Sequence, residues 1–215
     1  MINTIIFDLD GVLVDANQLH FEALNRSLSK FGFIISKEEH QTIFDGLPTT
    51  KKLHMLTKLK GLPEKNYDAI WKEKQSMTRE IIDKEFSYDE RMRGILKQLK
   101  FDGFSLAVCT NSIRETAKMM LIRKGLLEFI EFFISNQDVR LSKPNPEIFL
   151  RAMIKLGVGP HKCLIIEDSY YGCQAALNSG AYLLKVENAA DVNYEKIIES
   201  IECNQNGRSE LQMPI

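Results

Sequence analysis

Hydrophobic positions follow two different patterns in the second half of the chain. Short continuous apolar runs, which favour buried parallel strands, alternate with stretches in which apolar residues recur at helical spacing. The apolar runs lie at 105–109, 132–134, 163–166 and 182–186, and an earlier run covers 5–7. This alternation of strand and helix predicts an α/β fold with a doubly wound, Rossmann-like parallel sheet.

A block without a convincing strand interrupts this pattern after the first apolar run. Apolar residues at helical spacing predict three helices in this block, over about 16–31, 49–60 and 64–82. We therefore predict a core formed by residues 1–15 and 84–202, with residues 16–83 inserted as a helical domain. The polar segment 203–215 is predicted to be a disordered tail.

Two carboxylates follow the first apolar run, where further hydrophobic residues are expected. Asp8 and Asp10 are separated by one residue, and Gly11 comes next. Burying two neighbouring anions is costly unless a cation or a proton compensates them, so the pair indicates a site. The alternative is an exposed Asp-Gly turn that ends the strand. Apolar residues return at 12–14, which is unusual for a turn in solvent.

Composition narrows the classes of protein that fit. A chain of 215 residues with 44% hydrophobic and 27% charged residues is typical of an ordinary globular protein. The net charge of -1 gives no basic surface for nucleic acid, and no apolar run reaches membrane-spanning length. The N-terminus is not typical of a secretory signal, and the four cysteines lack metal or redox spacing. We therefore expect a cytoplasmic protein, and nothing in the sequence requires more than a monomer.

Other polar residues also follow predicted strands. Parallel strands present their carboxyl ends at one edge of the sheet, so these residues are expected to meet Asp8 and Asp10. They are Thr110-Asn111-Ser112 after 105–109, Lys143 in the loop after 132–134, and Glu167-Asp168 after 163–166. Taken singly, they are also explained by a helix cap, a solvated lysine and acidic residues at a helix start.

The chemistry of this set is consistent with phosphate binding. Clustered carboxylates demand a cation, and hard oxygen ligands favour Mg2+. Thr110 offers a hydroxyl, the next backbone N–H opens a helix, and Lys143 adds a positive charge. Acidic metal ligands beside anion-binding groups describe a phosphate site.

With these motifs the chain resembles the haloacid dehalogenase superfamily over nearly its full length. The four motifs that carry the resemblance are Asp8-Leu9-Asp10-Gly11-Val12-Leu13-Val14-Asp15, Thr110-Asn111-Ser112, Lys143-Pro144 and Glu167-Asp168-Ser169. The helical insertion is similar to the cap of the β-phosphoglucomutase and phosphoglycolate phosphatase branch. The resemblance implies a Mg2+-dependent phosphatase whose partner is a small phosphorylated metabolite, such as a sugar phosphate.

The resemblance also implies a role for each motif residue. Asp8 would be the nucleophile that forms an aspartyl phosphate, and Asp10 would be the general acid and base. Thr110 and Lys143 would hold the phosphoryl oxygens, together with the backbone of Asn111. Lys143 would also count among the catalytic residues. The implied Mg2+ ligands are Asp8, the carbonyl of Asp10, Asp168, and Glu167 either directly or through water.

Three functions stay open within and beside this family. A halide leaves without a proton whereas an alkoxide needs one, so Asp10 favours phosphate esters over dehalogenation.

His20 stands where β-phosphoglucomutase-like sequences have a histidine that could reach the cleft, although a helix-surface or hinge position also explains it. Thr49 occupies the place of the arginine with which those mutases grip a second phosphate. Lys51 and Lys52 could replace that arginine, but we favour a solvated helix face for them. The alternatives to a phosphatase are a sugar phosphomutase and a non-catalytic binding protein.

Overall fold

In the computed structural model, which describes residues 1–205, five parallel strands form one sheet. The strands are β1 (Thr4–Phe7), β2 (Ser105–Cys109), β3 (Phe132–Ile134), β4 (Cys163–Glu167) and β5 (Tyr182–Lys185). Their order across the sheet is β3-β2-β1-β4-β5, so the chain builds outwards from one side of β1 and then from the other. This reversal of strand order is the mark of a doubly wound sheet, and it confirms the predicted fold class.

The central strand β1 is fully buried because it has a neighbour on each side. Its register aligns Phe7 with Val108 of β2 and with Ile166 of β4. The three strands therefore end almost level with one another. Residues that directly follow them emerge at the same edge of the sheet, at the point where the strand order reverses.

The helices lie between and after the strands. They are α1 (Asn17–Ser29), α2 (Lys37–Glu39, continued by a π-helical turn at His40–Phe44), α3 (Thr49–Lys60), α4 (Tyr67–Glu85), α5 (Glu90–Phe101), α6 (Arg114–Arg123), α7 (Glu147–Leu156), α8 (Tyr170–Asn178) and α9 (Tyr194–Gln205). Within residues 1–205, no helix combines the length and the apolarity that crossing a bilayer requires.

Helices cover both faces of the sheet. The face that includes Ile5 and Phe7 shares an apolar cluster with α5, α6 and α9. The opposite face, which includes Ile6, shares a second cluster with α7 and α8. The two clusters use alternate residues of β1 because successive side chains of a strand point to opposite faces.

Helices α1 to α4 form the inserted helical cap. Its apolar core consists of Leu24, Leu28, Ile35, Phe44, Leu53, Leu56, Leu62 and Ile70. Ile81 and Ile82, near the end of α4, belong instead to the main core, so this helix connects the two parts. The helix runs on to Glu85, and the division at 16–83 stays a prediction.

The final helix α9 is longer than the pattern at 192–201 predicted. Ile197 and Ile201 bury its apolar face, and Asn204 Nδ2 donates to the carbonyl of Ser200 at 2.8 Å. The predicted tail is therefore wrong for residues 203–205, because helical hydrogen bonds hold a segment whose composition is polar. The rest of the predicted tail, residues 206–215, lies outside the described residues.

Candidate active site

The chain turns sharply after β1 and leaves Asp8 at the edge of the sheet. The N–H of Asp8 still follows the strand pattern and donates to the carbonyl of Ile166 at 2.9 Å. Gly11 then adopts φ +90°, a left-handed conformation that favours glycine. A Cβ on Gly11 would lie 1.9 Å from Oδ2 of Asp168, so the loop passes this carboxylate too closely for any side chain. Residues 12–14 are buried, so the loop is not an exposed turn.

Lys143 lies at the centre of the buried charges. It is 2% exposed, and its Nζ donates to Oδ1 of Asp8 at 2.6 Å, to the carbonyl of Cys109 at 2.7 Å and to Oε1 of Glu167. Burial disfavours its positive charge, but the two carboxylates outweigh this effect and raise the pKa of Lys143. The residue is therefore no solvated loop lysine, and its charge holds two acidic side chains together.

Three carboxylates meet beside Lys143, with too little positive charge to balance them. Oxygen atoms of Asp8, Glu167 and Asp168 lie within 4.8 Å of one another. Burial raises the pKa of Asp8, and burial together with the charge of Glu167 raises the pKa of Asp168 to about 7. In the described part of the chain, the buried Oδ1 of Asp168 has no hydrogen-bond partner. These groups fit a hard divalent cation such as Mg2+, which prefers oxygen ligands and would relieve their repulsion.

Glu167 is the most enclosed of the three carboxylates. It is fully buried, its Oε1 accepts from Lys143, and its Oε2 accepts from the hydroxyl of Ser169 at 3.3 Å. A Cβ on Gly172 would lie 2.1 Å from the carboxyl oxygens of Glu167, so glycine in the first turn of α8 makes room for this side chain. Each oxygen thus has one partner within the protein and keeps a further lone pair, so Glu167 could serve a cation directly or through water.

Asp10 makes a different set of contacts from Asp8. Its Oδ1 lies 3.0 Å from Nε2 of His20, and its Oδ2 accepts from the hydroxyls of Thr110 at 3.2 Å and Ser112 at 2.7 Å. Burial opposes ionisation of Asp10, but the charge and hydrogen bond of His20 and the hydrogen bond of Ser112 lower its pKa to about 2. The two aspartates, two residues apart in the chain, therefore have opposite electrostatic surroundings.

His20, on α1, connects Asp10 to the cap. Its Nδ1 lies 3.2 Å from Nζ of Lys74 on α4. A lysine ammonium can only donate, so Nδ1 accepts and Nε2 carries the hydrogen that is shared with Asp10. Burial and the charge of Lys74 lower the pKa of His20, while Asp10 opposes that shift. His20 is thus brought into the site and does not lie on the outer surface of its helix.

The loop after β2 contributes Thr110 and Asn111. Thr110 is fully buried, and its Oγ1 accepts from the N–H of Ser112 at 2.9 Å. The cap residue of α6 is Ile113, so Thr110 is not simply the start of that helix. Nδ2 of Asn111 donates to the carbonyl of Gly46 at 2.6 Å, which ties this core loop to the helical cap.

One cavity between the sheet edge and the helical cap brings these groups together. Its core side is lined by Asp8, Asp10, Thr110, Asn111, Lys143 and Asp168. Its cap side is lined by residues that include His20, His40, Lys52, Trp71, Lys74 and Gln75. Of the site residues predicted from the sequence, Glu167 lies behind the cavity wall, and the others line the cavity.

Two lysines line this cavity that the sequence did not predict to be buried, Lys52 and Lys74. Lys52 is 7% exposed, so the predicted solvated helix face is wrong for it, because α3 turns this position inwards while Lys51 stays exposed. Lys74 is equally buried, on the face of α4 that also carries Ile70 and Ile81. Gln75 and Thr78 are also buried on α4, so a polar residue near its apolar positions does not by itself mark Lys74 as a cavity residue.

Comparisons with known proteins show which family and which fold this chain shares. The family model described as "Haloacid dehalogenase-like hydrolase" matches residues 5–186. The chain is 28% identical over 215 aligned residues to a phosphorylated carbohydrates phosphatase of Thermotoga maritima, covering 92% of this chain and 97% of that one. It is 30% identical to a pyrophosphatase PpaX of Bacillus pumilus, covering 79% and 76%. The structure of a β-phosphoglucomutase from Clostridium difficile superposes with a TM-score of 0.83 at 23% identity, covering 94% and 98%, and shows that the fold is shared.

Proposed function

The chain belongs to the haloacid dehalogenase-like hydrolase family, and from this premise we propose that it is a phosphatase. The proposed reaction is the hydrolysis of a small phosphomonoester, a sugar phosphate or a similar metabolite, with Mg2+ and through an aspartyl phosphate on Asp8. Relatives named as a phosphorylated carbohydrates phosphatase and as a pyrophosphatase support phosphate chemistry.

The observation that carries the proposal is the contrast between the two aspartates of one cavity. Asp8 lies against Lys143 and the acidic cluster, where a cation would free it to act as a nucleophile. Asp10 lies against hydroxyls and an imidazole, groups that exchange protons. Two carboxylates in such different surroundings are suited to two different tasks.

In the first step, a carboxylate oxygen of Asp8 attacks the phosphorus atom of the ester. A new bond forms between that oxygen and phosphorus, and the bond from phosphorus to the leaving oxygen breaks. Asp10 gives its proton to the leaving oxygen, which departs as an alcohol. The product of this step is a phosphoryl group covalently held on Asp8.

In the second step, water replaces the alcohol. Asp10, now a carboxylate, accepts a proton from water as the water oxygen attacks phosphorus. The bond between phosphorus and the Asp8 oxygen breaks, which releases inorganic phosphate and returns Asp10 to its protonated form. The two steps thus restore both aspartates to the states in which the cycle began.

The remaining residues hold charge and position. Thr110 and Lys143 would bind the phosphoryl oxygens from the core side of the cavity, together with the backbone of Asn111. Asp8, Asp168 and the carbonyl of Asp10 would hold Mg2+, with Glu167 as a further ligand either directly or through water. When bound, Mg2+ supplies positive charge that stabilises the phosphoryl group during transfer.

A sugar phosphomutase is the second candidate, and the fold shared with a β-phosphoglucomutase favours keeping it. A mutase would rearrange its substrate without net release of phosphate and would need a bisphosphate for activation. Thr49, which lines the cavity, supplies no positive charge where those mutases use an arginine. We therefore place hydrolysis first.

A cytoplasmic, monomeric enzyme is the simplest setting for a protein whose four cysteines are unpaired thiols.

A panel of phosphorylated metabolites tests the proposal, with released phosphate as the readout and Mg2+ present. We expect Asp8→Asn to abolish turnover. In kcat/KM, which reports the first step, Asp10→Ala should lose at least about 100-fold with alkyl phosphates but much less with p-nitrophenyl phosphate, because nitrophenolate leaves without a proton. Asp68→Asn, an exposed aspartate of the cap, is the matched control and should keep wild-type rates. Absence of turnover on every ester, or equal losses in kcat/KM on both kinds of leaving group, would contradict the mechanism.

A further inference from the structure

The cap brings a fourth acidic residue to the cavity, and the proposed hydrolysis gives this residue no role. Asp45 lies in the loop between the π-helical turn at His40–Phe44 and α3, and it lines the same cavity as Asp8 and Asp168. Its side chain is half-buried, and within residues 1–205 its carboxylate forms no ion pair. A carboxylate that is partly removed from water without a partner is unfavourable, so the position of Asp45 calls for a cation.

Two contacts place this loop directly against the residues that carry the acidic cluster. Nδ2 of Asn111 donates to the carbonyl of Gly46 at 2.6 Å. A Cβ on Gly46 would lie 2.7 Å from Oγ of Ser169, so the backbone of the cap loop passes this side chain closely. Ser169 directly follows Asp168 in the chain, and Asp45 directly precedes Gly46. The loop therefore holds Asp45 at the edge of the sheet that carries Asp168.

Without a cation, the negative charge of Asp45 is unfavourable in this place. Burial raises the pKa of Asp45, and the opposing charge of Lys52 does not cancel that shift. Burial, the charge of Glu167 and the charge of Asp45 all raise the pKa of Asp168, which reaches about 7. The loop thus adds a negative charge to a sheet edge that already carries three carboxylates with oxygens within 4.8 Å of one another.

A different role for Asp45 would be that of a counter-ion to Lys52. The charge of Asp45 does oppose the fall in the pKa of Lys52, which burial lowers to about 8. The two groups nevertheless form no ion pair in the described chain, and a carboxylate that served mainly as a counter-ion would have a lowered pKa. Because the pKa of Asp45 is raised instead, burial outweighs the attraction of Lys52.

We propose that Asp45 supplies a further negative charge to the Mg2+ of the acidic cluster, directly or through metal-bound water, and that the metal thereby favours docking of the cap loop. The inference rests on the Mg2+ site of the proposed function, and it adds a cap residue to ligands that otherwise come from the core. Mg2+ usually keeps several of its waters, so a carboxylate facing the ion can contribute without touching it. A bound cation would turn the repulsion between the loop and the sheet edge into attraction.

Thermal melting in EDTA and over a Mg2+ titration tests this proposal without measuring catalysis. Asp45→Asn keeps the shape of the side chain and removes its charge. In EDTA this variant should melt above wild type, because a repelling charge is gone. It should then need about tenfold more Mg2+ than wild type for half of the metal-induced rise in melting temperature, which is the loss typical when an outer partner of a metal site is removed.

Two variants serve as controls. Asp45→Glu keeps the charge and should keep a Mg2+ requirement close to that of wild type, while Asp68→Asn changes an exposed aspartate of the cap and should match wild type throughout. An unchanged Mg2+ requirement in Asp45→Asn would overturn the proposal. So would a lower melting temperature of this variant in EDTA, because Asp45 would then serve as the counter-ion of Lys52.

The single tryptophan of the chain reports on the loop itself. Trp71 lies on α4, is half-buried and lines the cavity to which the loop also contributes. Saturating Mg2+ should reduce the quenching of Trp71 fluorescence by acrylamide in wild type, because the docked loop shields the cavity. This reduction should be lost in Asp45→Asn. Equal Mg2+-dependent protection of Trp71 in both proteins would overturn the link between the metal and the cap.

Asp168→Asn separates this inference from the proposed function, because it removes a core ligand and should abolish the response to Mg2+. If wild type itself shows no response, the Mg2+ site of the proposed function fails, and this inference fails with it. A response that Asp168→Asn abolishes and Asp45→Asn leaves unchanged would overturn this inference alone. Asp45-dependent binding of Mg2+ by a protein that hydrolyses no ester would contradict the phosphatase proposal and support the role of Asp45.

Discussion

His40 should make the stability of this protein fall as the pH drops. The residue is 3% exposed, its ring packs edge-on against Phe21 with 5.4 Å between ring centroids, and its Nε2 has no partner in the described chain. Burial and the nearby positive charges of Lys52, His20 and Lys74 lower the pKa of His40 to about 3. The perturbation we consider is His40→Phe, which keeps a buried ring and removes the titration.

The size of the effect follows from proton linkage. In the unfolded chain a histidine has a pKa near 6.5, so below that pH the unfolded state takes up a proton that the folded state refuses. The contribution of His40 to the free energy of unfolding is fully present above pH 6.5, and it is lost as the pH falls towards the folded-state pKa of about 3. Between pH 7 and pH 5 the loss amounts to about 2 kcal/mol, since each pH unit below the unfolded pKa contributes about 1.4 kcal/mol.

Urea unfolding at pH 5, 6 and 7 measures this directly. Phosphate buffers are avoided because phosphate is a ligand of the proposed site. The difference in unfolding free energy between His40→Phe and wild type should shift by about 2 kcal/mol in favour of the variant as the pH falls from 7 to 5. His161→Phe changes an exposed histidine and should track wild type. A His40→Phe difference that stays constant with pH would refute the reasoning, because His40 would then titrate alike in both states.

Two further predictions concern the acidic cluster. Lys143→Met should lower the unfolding free energy, measured by urea unfolding in EDTA, by about 3–5 kcal/mol, because it leaves buried carboxylates without their cation. Added Mg2+ should restore part of the loss. An unfolding free energy in EDTA that matches wild type would contradict this. Gly11→Ala should weaken Mg2+ binding at least tenfold, as measured by the Mg2+ dependence of the melting temperature, because the new Cβ would lie 1.9 Å from Oδ2 of Asp168. Gly103→Ala is the matched control, because Gly103 has a similar φ of +88° but no atom lies within 4 Å of the new Cβ. Equal Mg2+ affinities in the two variants would count against a metal at Asp168.

The meeting of acidic side chains at one edge of the sheet was predictable, because it depends only on which residues directly follow the strands in the sequence. Asp8 directly follows the apolar run of β1, and Asp168 directly follows β4. Once parallel pairing aligns the strand ends, side chains next to those ends must meet, whatever the details of packing. The fold class was predictable for a related reason, since the alternation of apolar runs and helical stripes is itself the signature of such a sheet.

The cap side of the cavity was not predictable in the same way. The burial of Lys52 and Lys74 depends on how α3 and α4 lie over the sheet edge, an arrangement set by packing between distant parts of the chain. A lysine on a helix gives the same local pattern whether it faces water or a cavity. The sequence therefore did not show that these two lysines are buried, whereas it did indicate the core residues that we expect to perform the chemistry.

Asp10 shows how the surroundings refine a role that the sequence assigns. A general acid must carry a proton, yet in the ligand-free protein the contacts with His20 and Ser112 hold the pKa of Asp10 at about 2. Proton donation by Asp10 therefore requires the substrate itself: a phosphate group beside this carboxylate adds negative charge, which raises its pKa and favours protonation. His20 donates its Nε2–H to Asp10 as a neutral ring, so it positions this carboxylate but cannot supply the proton, because it would be left as an imidazolate. The same anion would interact with the positive charge of Lys74 behind His20, so substrate binding and the protonation of Asp10 depend on one row of side chains.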